Sequence, residues 1–401
     1  MVDVRNQVVT AGFIDLHSHG QTPENYAFKA RDGVTTALEM EVGVNPVDAW
    51  YAARTGKALI NYGATSGHIP ARIAVMHDPG TLLPRGPAAT REATPDERRQ
   101  TLDTVRRGLD EGALGIAYVP LAGREEILEI FQLAAQRHAT VYVHMRNSGP
   151  VEPGAIDSLQ EVLADAAATG ASLHIVHITS MGLRETGILL KMIEGARRHG
   201  IDVTTEAYPY TAAMTDLGSA IFAENWQQKM GGIGYGDLQW VKTGERLTEA
   251  TFGRYRREGG MVVIHLIHEE TVREAVAAPG VMIASDGELE DGKGHPRGAG
   301  TYARVLGRYV REQHALTLME ALRRMSLLPA ERLGWQSKGR LQTGADADIT
   351  VFDAERILDK ATFDQPAQYS EGISHVLVGG TFVVRDGMIA VGVTPGKPLR
   401  K

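Results

Sequence analysis

Short, nearly continuous apolar runs recur along this chain with longer amphipathic stretches between them, and that alternation constrains the fold more than any other feature. A strand with one wet face alternates apolar and polar residues, whereas a strand of a parallel sheet covered on both faces does not. The runs Gly12–His17, Val34–Glu41, Ala58–Ala64, Gly115–Val119, Thr140–His144, Ser172–Ile178, Ile201–Ala207, Met261–Ile267 and Val281–Ser285 are of the second kind. Helical chemistry fills most of the gaps. Thr94-Pro95-Asp96-Glu97 supplies an N-cap, a first-turn proline and a capping-box glutamate; Leu102, Val105 and Leu109 share a face; Gly112 is a stop. Arg124–His138, Asp157–Thr169, Arg184–His199 and Leu318–Leu333 read the same way. Repeated βα units predict an α/β fold, a (β/α)8 TIM-like barrel that nine runs slightly overfill.

The 401 residues exceed an ordinary compact domain, so additions to the barrel are expected. Between Met214 and Gly260 the sequence is rich in Gly, Trp, Tyr and charge with weak periodicity, which predicts an insertion, a lid lying over one end of the barrel. After Gly339 the pattern turns to β: Asp348–Phe352, then Ser374–Val378 and Thr381–Val384 joined by the hairpin signal Gly379-Gly380. The expected organisation is a barrel over 12–336 carrying the insertion at about 214–260, with residues 1–11 and 337–401 forming a small β domain. Forty-two basic against 49 acidic side chains give a net charge of −7, and no basic run is long enough to follow a phosphate backbone. Nucleic acid is therefore not an expected partner. The opening segment is polar and no apolar run approaches the roughly 18 residues of a membrane span, so the expectation is a cytoplasmic protein with a small-molecule substrate.

Absence of cysteine excludes thiol nucleophiles and thiolate ligands, so any metal must be held by His, Asp or Glu. His17 and His19 end the first run, where barrel active sites are built, and alternate strand residues share a face about 7 Å apart. His144, His177 and Asp286 end three other runs. Five imidazole or carboxylate groups at four strand ends form the donor set that an oxygen- and nitrogen-only centre for one or two divalent ions requires. The second run ends Leu38-Glu39-Met40-Glu41-Val42, two carboxylates among apolar residues. Burying an unpaired carboxylate costs several kcal/mol, so they need a cation or donors. Glu41, nearer the strand end, is the expected bridge between two ions, with Glu39 the alternative or a support for a ligand.

In order and spacing, Ala11-Gly-Phe-Ile-Asp-Leu-His-Ser-His19, Gly33-Val-Thr-Thr36, the two strand-end histidines and Ser285-Asp286-Gly287 resemble the amidohydrolase superfamily. Gly67-His68, Gly112-Ala-Leu-Gly115, His144-Met-Arg146, Tyr208-Pro-Tyr210, His295-Pro-Arg297, Arg304-Val-Leu-Gly-Arg-Tyr309 and Ala345-Asp-Ala-Asp-Ile349 resemble the N-acyl-D-amino-acid deacylase, or D-aminoacylase, family. The resemblance implies zinc-dependent hydrolysis of an N-acyl-D-amino acid to a carboxylate and a D-amino acid. It implies Asp286 as general base and then acid, with Tyr118, Tyr208 and His68 as substrate-binding residues. Arg297, eleven residues beyond Asp286, is the expected partner of the substrate carboxylate, since a guanidinium binds one with two parallel hydrogen bonds. Two departures stand out: members of that family commonly place a cysteine ligand where this chain has its paired glutamates, and they begin with several strands where this chain has about ten residues before Gly12, which predicts a smaller, more exposed β domain. Thr179 also stands where a lysine is common. A cyclic-amide hydrolase of the hydantoinase or dihydroorotase kind shares the centre, but the fourth run carries no lysine to be carboxylated. An inactive scaffold is the remaining alternative.

Overall fold

A computed structural model describes residues 2–118 and 123–401. Eight strands, Phe13–Asp15, Val34–Val44, Asn61–Gly67, Ile116–Tyr118, Thr140–Val143, Ser172–Ile175, Val203–Ala207 and Val281–Ile283, pair in parallel, each with the next, in one sheet. Between the eighth and the first, a bridge from Ser18 to Gly287 and a 2.7 Å bond from the Asp286 N–H to the His17 carbonyl bring the ends of the sheet together. Burial explains the unbroken apolar runs: ten of the eleven residues of Val34–Val44 are buried. Of the fourth run, Val119 lies outside the described residues. The helix Pro95–Asp110 carries the full capping box, with Thr94 and Glu97 bonding each other's backbone. No helix among the described residues is long and apolar enough to cross a membrane.

The eighth run, Met261–Ile267, is not a barrel strand. Met261–His265 pairs antiparallel with Ala212–Asp216 on one side and Leu238–Trp240 on the other, in a separate three-stranded sheet. An apolar run reports burial on both faces and is blind to the direction of its neighbours, so this strand looked like a ninth stave. The segment after Met214 builds a core of its own, in which Trp226 stacks on Phe252 at 5.4 Å and Trp240 on Tyr255 at 4.5 Å. Its weak periodicity reflects short elements held by aromatic contacts.

A second antiparallel sheet joins the two ends of the chain: Val8–Ala11, Ile349–Phe352, Ile373–Val378, Thr381–Arg385 and Met388–Ile389 lie side by side in that order. The turn between its third and fourth strands has Gly379 and Gly380 at φ +55° and +81°, a pair of left-handed positions that glycine occupies without cost. Beyond this sheet the chain returns to the barrel. The Tyr62 N–H donates to the Lys397 carbonyl, the Leu399 N–H to the Tyr62 carbonyl, and the Lys401 N–H to the Gly112 carbonyl.

Candidate metal centre

The site begins with how the strands end. Past Asp15, the chain is pinned by a buried network: the Asp15 carboxylate accepts from the Ser285 N–H at 2.9 Å and from the Ser285 hydroxyl at 2.6 Å, and Lys29 Nζ lies 2.8 Å away. This ties the first strand to the eighth and aims His17, His19 and Asp286 at one point. Asp286 and His177 have φ of +52° and +30°, a backbone region costly for residues with a side chain and concentrated at functional sites.

The second strand reaches the site through a bulge. Glu39 stands opposite Ala64 and Val44 opposite Ser66, so Met40–Gly43 face the single residue Thr65. Glu39 Oε1 accepts from the N–H groups of Val42 and Gly43, at 3.1 and 3.3 Å. Gly43 adopts φ +67°, and a Cβ there would lie 2.7 Å from the Gly67 backbone, so glycine is required for this turn. The bulge separates the two glutamates: Glu39 turns back onto the strand, and Glu41 enters the barrel mouth.

Two groups of donor atoms result, one of His17, His19, Glu41 and Asp286, the other of Glu41, His144 and His177, with atoms within 4.8 Å of one another in each. Glu41 belongs to both. Its Oε2 lies 3.1 Å from Nε2 of His17 and of His19, and its Oε1 lies 2.7 Å from His144 Nδ1 and 2.6 Å from His177 Nε2. Asp286 Oδ1 lies 3.4 and 3.3 Å from the same atoms of His17 and His19. Behind the ligand atoms, His17 Nδ1 contacts Glu206 at 2.6 Å, His19 Nδ1 contacts Glu39 at 2.7 Å, and Ser180 Oγ lies 3.0 Å from His177 Nδ1. Glu39 is in neither group.

Charge tests whether this set suits a cation. Glu39, Glu41, Glu206 and Asp286 are each less than a tenth exposed, and Arg297 at 2.8 Å from Asp286 is the one Lys or Arg paired with them among the described residues. Lys29 is committed to Asp15. Burial pulls the His17 imidazole down, but Asp286, Glu41 and Glu206 outweigh it and hold it at about 10; His19 is raised for the same reason, by Glu39 and its neighbours. A field that binds protons so strongly on imidazole nitrogens binds a divalent cation in their place, so the residues fit one or two such ions.

The site opens into a cavity of about 400 Å³ whose wall includes His19, Glu41, His144, His177, Asp286 and Arg297, and also Met214, Ile221 and Met230 of the insertion. Arg297 is 1% exposed, lies over the Tyr208 ring at 4.5 Å and gives Nη2 to Asp286, while its Nε and Nη1 have no acceptor in hydrogen-bonding geometry. Buried donors left without protein acceptors are free to take an acceptor from a water or an anion in the cavity. Tyr118, Tyr208 and His68 are buried and not among the lining residues. His68 gives Nε2 to Glu126 at 2.6 Å and carries Tyr118 on its ring face at 4.5 Å, which places it behind the wall.

Glu206 and Ser180 escaped the sequence reading. The signal for Glu206 was available: like Glu39 and Glu41, it is a carboxylate inside an otherwise buried strand, Val203–Ala207.

His295 holds the loop before Arg297. Its Nε2 donates to the Ala212 carbonyl and its Nδ1 accepts from the Arg297 N–H, both at 3.0 Å, so only the neutral ring satisfies both partners. Burial, then Arg297, push its pKa well below the usual histidine value. A base depressed on folding withholds a proton that the unfolded chain takes up near pH 6.5, so its stabilisation is present above that pH and is lost as pH falls, by up to about 1.4 kcal/mol per unit. Thermal unfolding between pH 7.5 and 5.5 should show this loss, and the slope should be shallower in His295→Asn. Equal slopes would remove His295 from the account.

Residues 95–384 match the sequence profile of the amidohydrolase family. The chain is 30% identical to an N-acyl-D-glutamate deacylase of Alcaligenes xylosoxydans xylosoxydans, over 95% of this chain and 84% of that protein. It is likewise 30% identical to a D-aminoacylase of the same organism, over 94% and 84%. Among solved structures, the N-acyl-D-glutamate deacylase of Bordetella bronchiseptica, complexed with zinc and a phosphonate inhibitor that mimics the tetrahedral intermediate, superposes with a TM-score of 0.84 at 28% identity, covering 100% of this chain and 90% of that one.

Proposed function

Because this chain belongs to the amidohydrolase family, with D-aminoacylase and N-acyl-D-glutamate deacylase among its relatives, we propose that it hydrolyses the amide bond of N-acyl-D-amino acids, releasing a carboxylate and a D-amino acid. The observation that carries the reading is the buried guanidinium of Arg297, with two unpaired N–H groups, in the cavity wall beside the donor set. An amide substrate bearing an α-carboxylate needs that pairing of an anion site with a hydrolytic centre.

His17, His19, Glu41, His144, His177 and Asp286 would hold the ions, with Glu41 shared and Glu39 and Glu206 fixing the imidazole tautomers. Zinc bound there supplies an acidified water, of pKa about 7, and a Lewis acid for the amide carbonyl. The protein residues do the rest. Asp286 takes the proton of the attacking water at a carboxylate oxygen and delivers it to the amide nitrogen, which leaves as a neutral amine. Arg297 receives the substrate carboxylate through the free N–H of Nε or of Nη1 together with the second N–H of Nη2, whose first goes to Asp286, which fixes the scissile bond relative to Asp286. The insertion, acting as a lid through Met214 and Ile221, keeps bulk water from the site.

The test is a panel of N-acetyl-D- and N-acetyl-L-amino acids and a hydantoin, assayed with zinc, with manganese and after chelation. Hydrolysis of the D-compounds, lost on chelation and restored by metal, is the expected result. It should persist in bicarbonate-free preparations, since Glu41 needs no carbon dioxide to serve as a bridge. Full activity after exhaustive chelation, or preference for the cyclic amide, would overturn the proposal.

A further inference from the structure

Arg297 opens the helix Arg297–Arg304, and that helix packs against a long connection of the terminal sheet. Residues 353–372 join the strands Ile349–Phe352 and Ile373–Val378 and form neither helix nor strand, apart from one bridge between Leu358 and Glu371. A structureless stretch of that length inside a compact protein is uncommon and is often functional. Asp359 in this stretch accepts from Arg304 Nη1 at 2.9 Å, while Arg304 Nε donates to the Pro209 carbonyl at 2.7 Å and its guanidinium covers the Tyr210 ring at 4.6 Å. A Cβ on Gly300 would lie 2.8 Å from Asp359 Cβ, so helix and connection meet with no room for a side chain between them.

Phe363 carries the contact nearest to Arg297. Its ring meets the imidazole of His295 at 5.1 Å and that of His265 at 4.7 Å, both edge to face, and Tyr210 makes a like contact with His295 at 5.4 Å. The insertion's sheet holds Phe363 from the other direction: Gln239 Nε2 donates to the Phe363 carbonyl at 3.4 Å, and Gln239 Oε1 lies 3.0 Å from His265 Nε2. Phe363 is not among the residues lining the cavity, so its influence on the site passes through His295. That ring spends one nitrogen on the Ala212 carbonyl and the other on the Arg297 N–H, which requires a single orientation. Two aromatic rings packed against it restrict its rotation. Without one of them the imidazole can turn, and the backbone anchor of Arg297 loosens.

We infer that Phe363 is a positioning residue for substrate binding: it locks the His295 ring and, through it, sets where the Arg297 guanidinium meets the substrate carboxylate. Recognition of the carboxylate then depends on a residue outside the barrel, in the terminal part of the chain. The inference rests on the deacylase reading. Displacements well under 1 Å at a two-pronged contact are enough to weaken it about 10-fold.

The test measures kcat, KM and zinc content for the zinc-loaded enzyme and its Phe363→Ala, Phe363→Leu and Phe363→Tyr variants, on N-acetyl-D-alanine and its methyl ester. For Phe363→Ala the expected result is a KM for the acid raised about 10-fold, kcat within about threefold, and an acid-to-ester ratio of kcat/KM about 10-fold lower. Zinc content should hold, and tyrosine, which keeps the ring, should restore most of the ratio. Equal losses on acid and ester, or a fall in kcat alone, would show a general structural role and overturn the assignment. Calorimetry of both compounds on zinc-loaded Asp286→Asn, with phenylalanine or alanine at 363, supplies a readout without turnover. If the unmodified enzyme hydrolyses no N-acyl-D-amino acid, the deacylase reading falls and binding decides this one: the acid must bind more tightly than the ester with Phe363 present, and that preference must shrink about 10-fold with alanine. Any other binding pattern overturns it. Should Phe363→Ala fail to fold, the leucine variant, apolar but without a ring edge, decides on the same ratios.

Discussion

Replacing Glu41 with glutamine is expected to remove most of the bound metal and at least about 1000-fold of the activity, because one carboxylate serves both donor groups. The substitution keeps size and shape, so loss of fold is not the expected cause. What disappears is the negative charge that His17, His19, His144 and His177 all face within about 3 Å. Glu39→Gln is the control: its side chain contacts His19 Nδ1 and the bulge N–H groups, outside both donor groups, so metal affinity should weaken by roughly 10- to 100-fold without being abolished. Metal content by elemental analysis after dialysis, alongside kcat/KM, distinguishes the two. If Glu39→Gln empties the site and Glu41→Gln does not, the bridge has been assigned to the wrong glutamate.

The second large effect concerns Arg297. A two-pronged guanidinium–carboxylate contact in a partly dry site is worth on the order of 2–4 kcal/mol, or roughly 30- to 1000-fold in kcat/KM. Arg297→Met should lose about that much on N-acyl-D-amino acids and keep its metal, and lysine should restore only part, because a point charge cannot reproduce the fork. Esterifying the substrate carboxylate supplies the decisive comparison. The unmodified enzyme should discriminate strongly against the ester, and the methionine variant should not. If both hydrolyse acid and ester in the same ratio, Arg297 does not read the carboxylate. Since Nη2 also contacts Asp286, a drop in kcat that is equal for acid and ester would point to that contact instead.

The barrel was legible because burial on both faces writes itself into each strand as an unbroken apolar run, and Val34–Val44 shows it with ten buried residues. The same signal misled at Met261–His265, since a strand between two antiparallel partners is buried in the same way. His17, His19, His144, His177 and Asp286 could be read from their positions at strand ends, and all five fall within the donor groups. The different fates of Glu39 and Glu41 could not be derived from alternation, which puts residues two apart on one face. The bulge at Met40–Gly43 makes that difference, and it depends on the approach of Gly67 from the next strand, about two dozen residues away. Glu206 could be singled out as a carboxylate within a buried strand, but its task could not be read, because its partner His17 lies 189 positions away and only the fold brings them together.

The return of residues 396–401 to the barrel has a consequence for biosynthesis. Backbone groups of Tyr62 and Gly112 are satisfied by Lys397, Leu399 and Lys401, more than 280 positions later in the chain. A ribosome adding roughly 5–20 residues per second needs about 15 to 70 seconds to bridge that interval. Through all of it, the edge of the third strand waits without its partner, and the first strand of the terminal sheet, Val8–Ala11, likewise waits for Ile349–Phe352. Emerging chains of this protein are therefore expected to hold an unfinished barrel out of aggregation until residues 396–401 have been made, and a product stalled before them would be a natural client for chaperones and proteases.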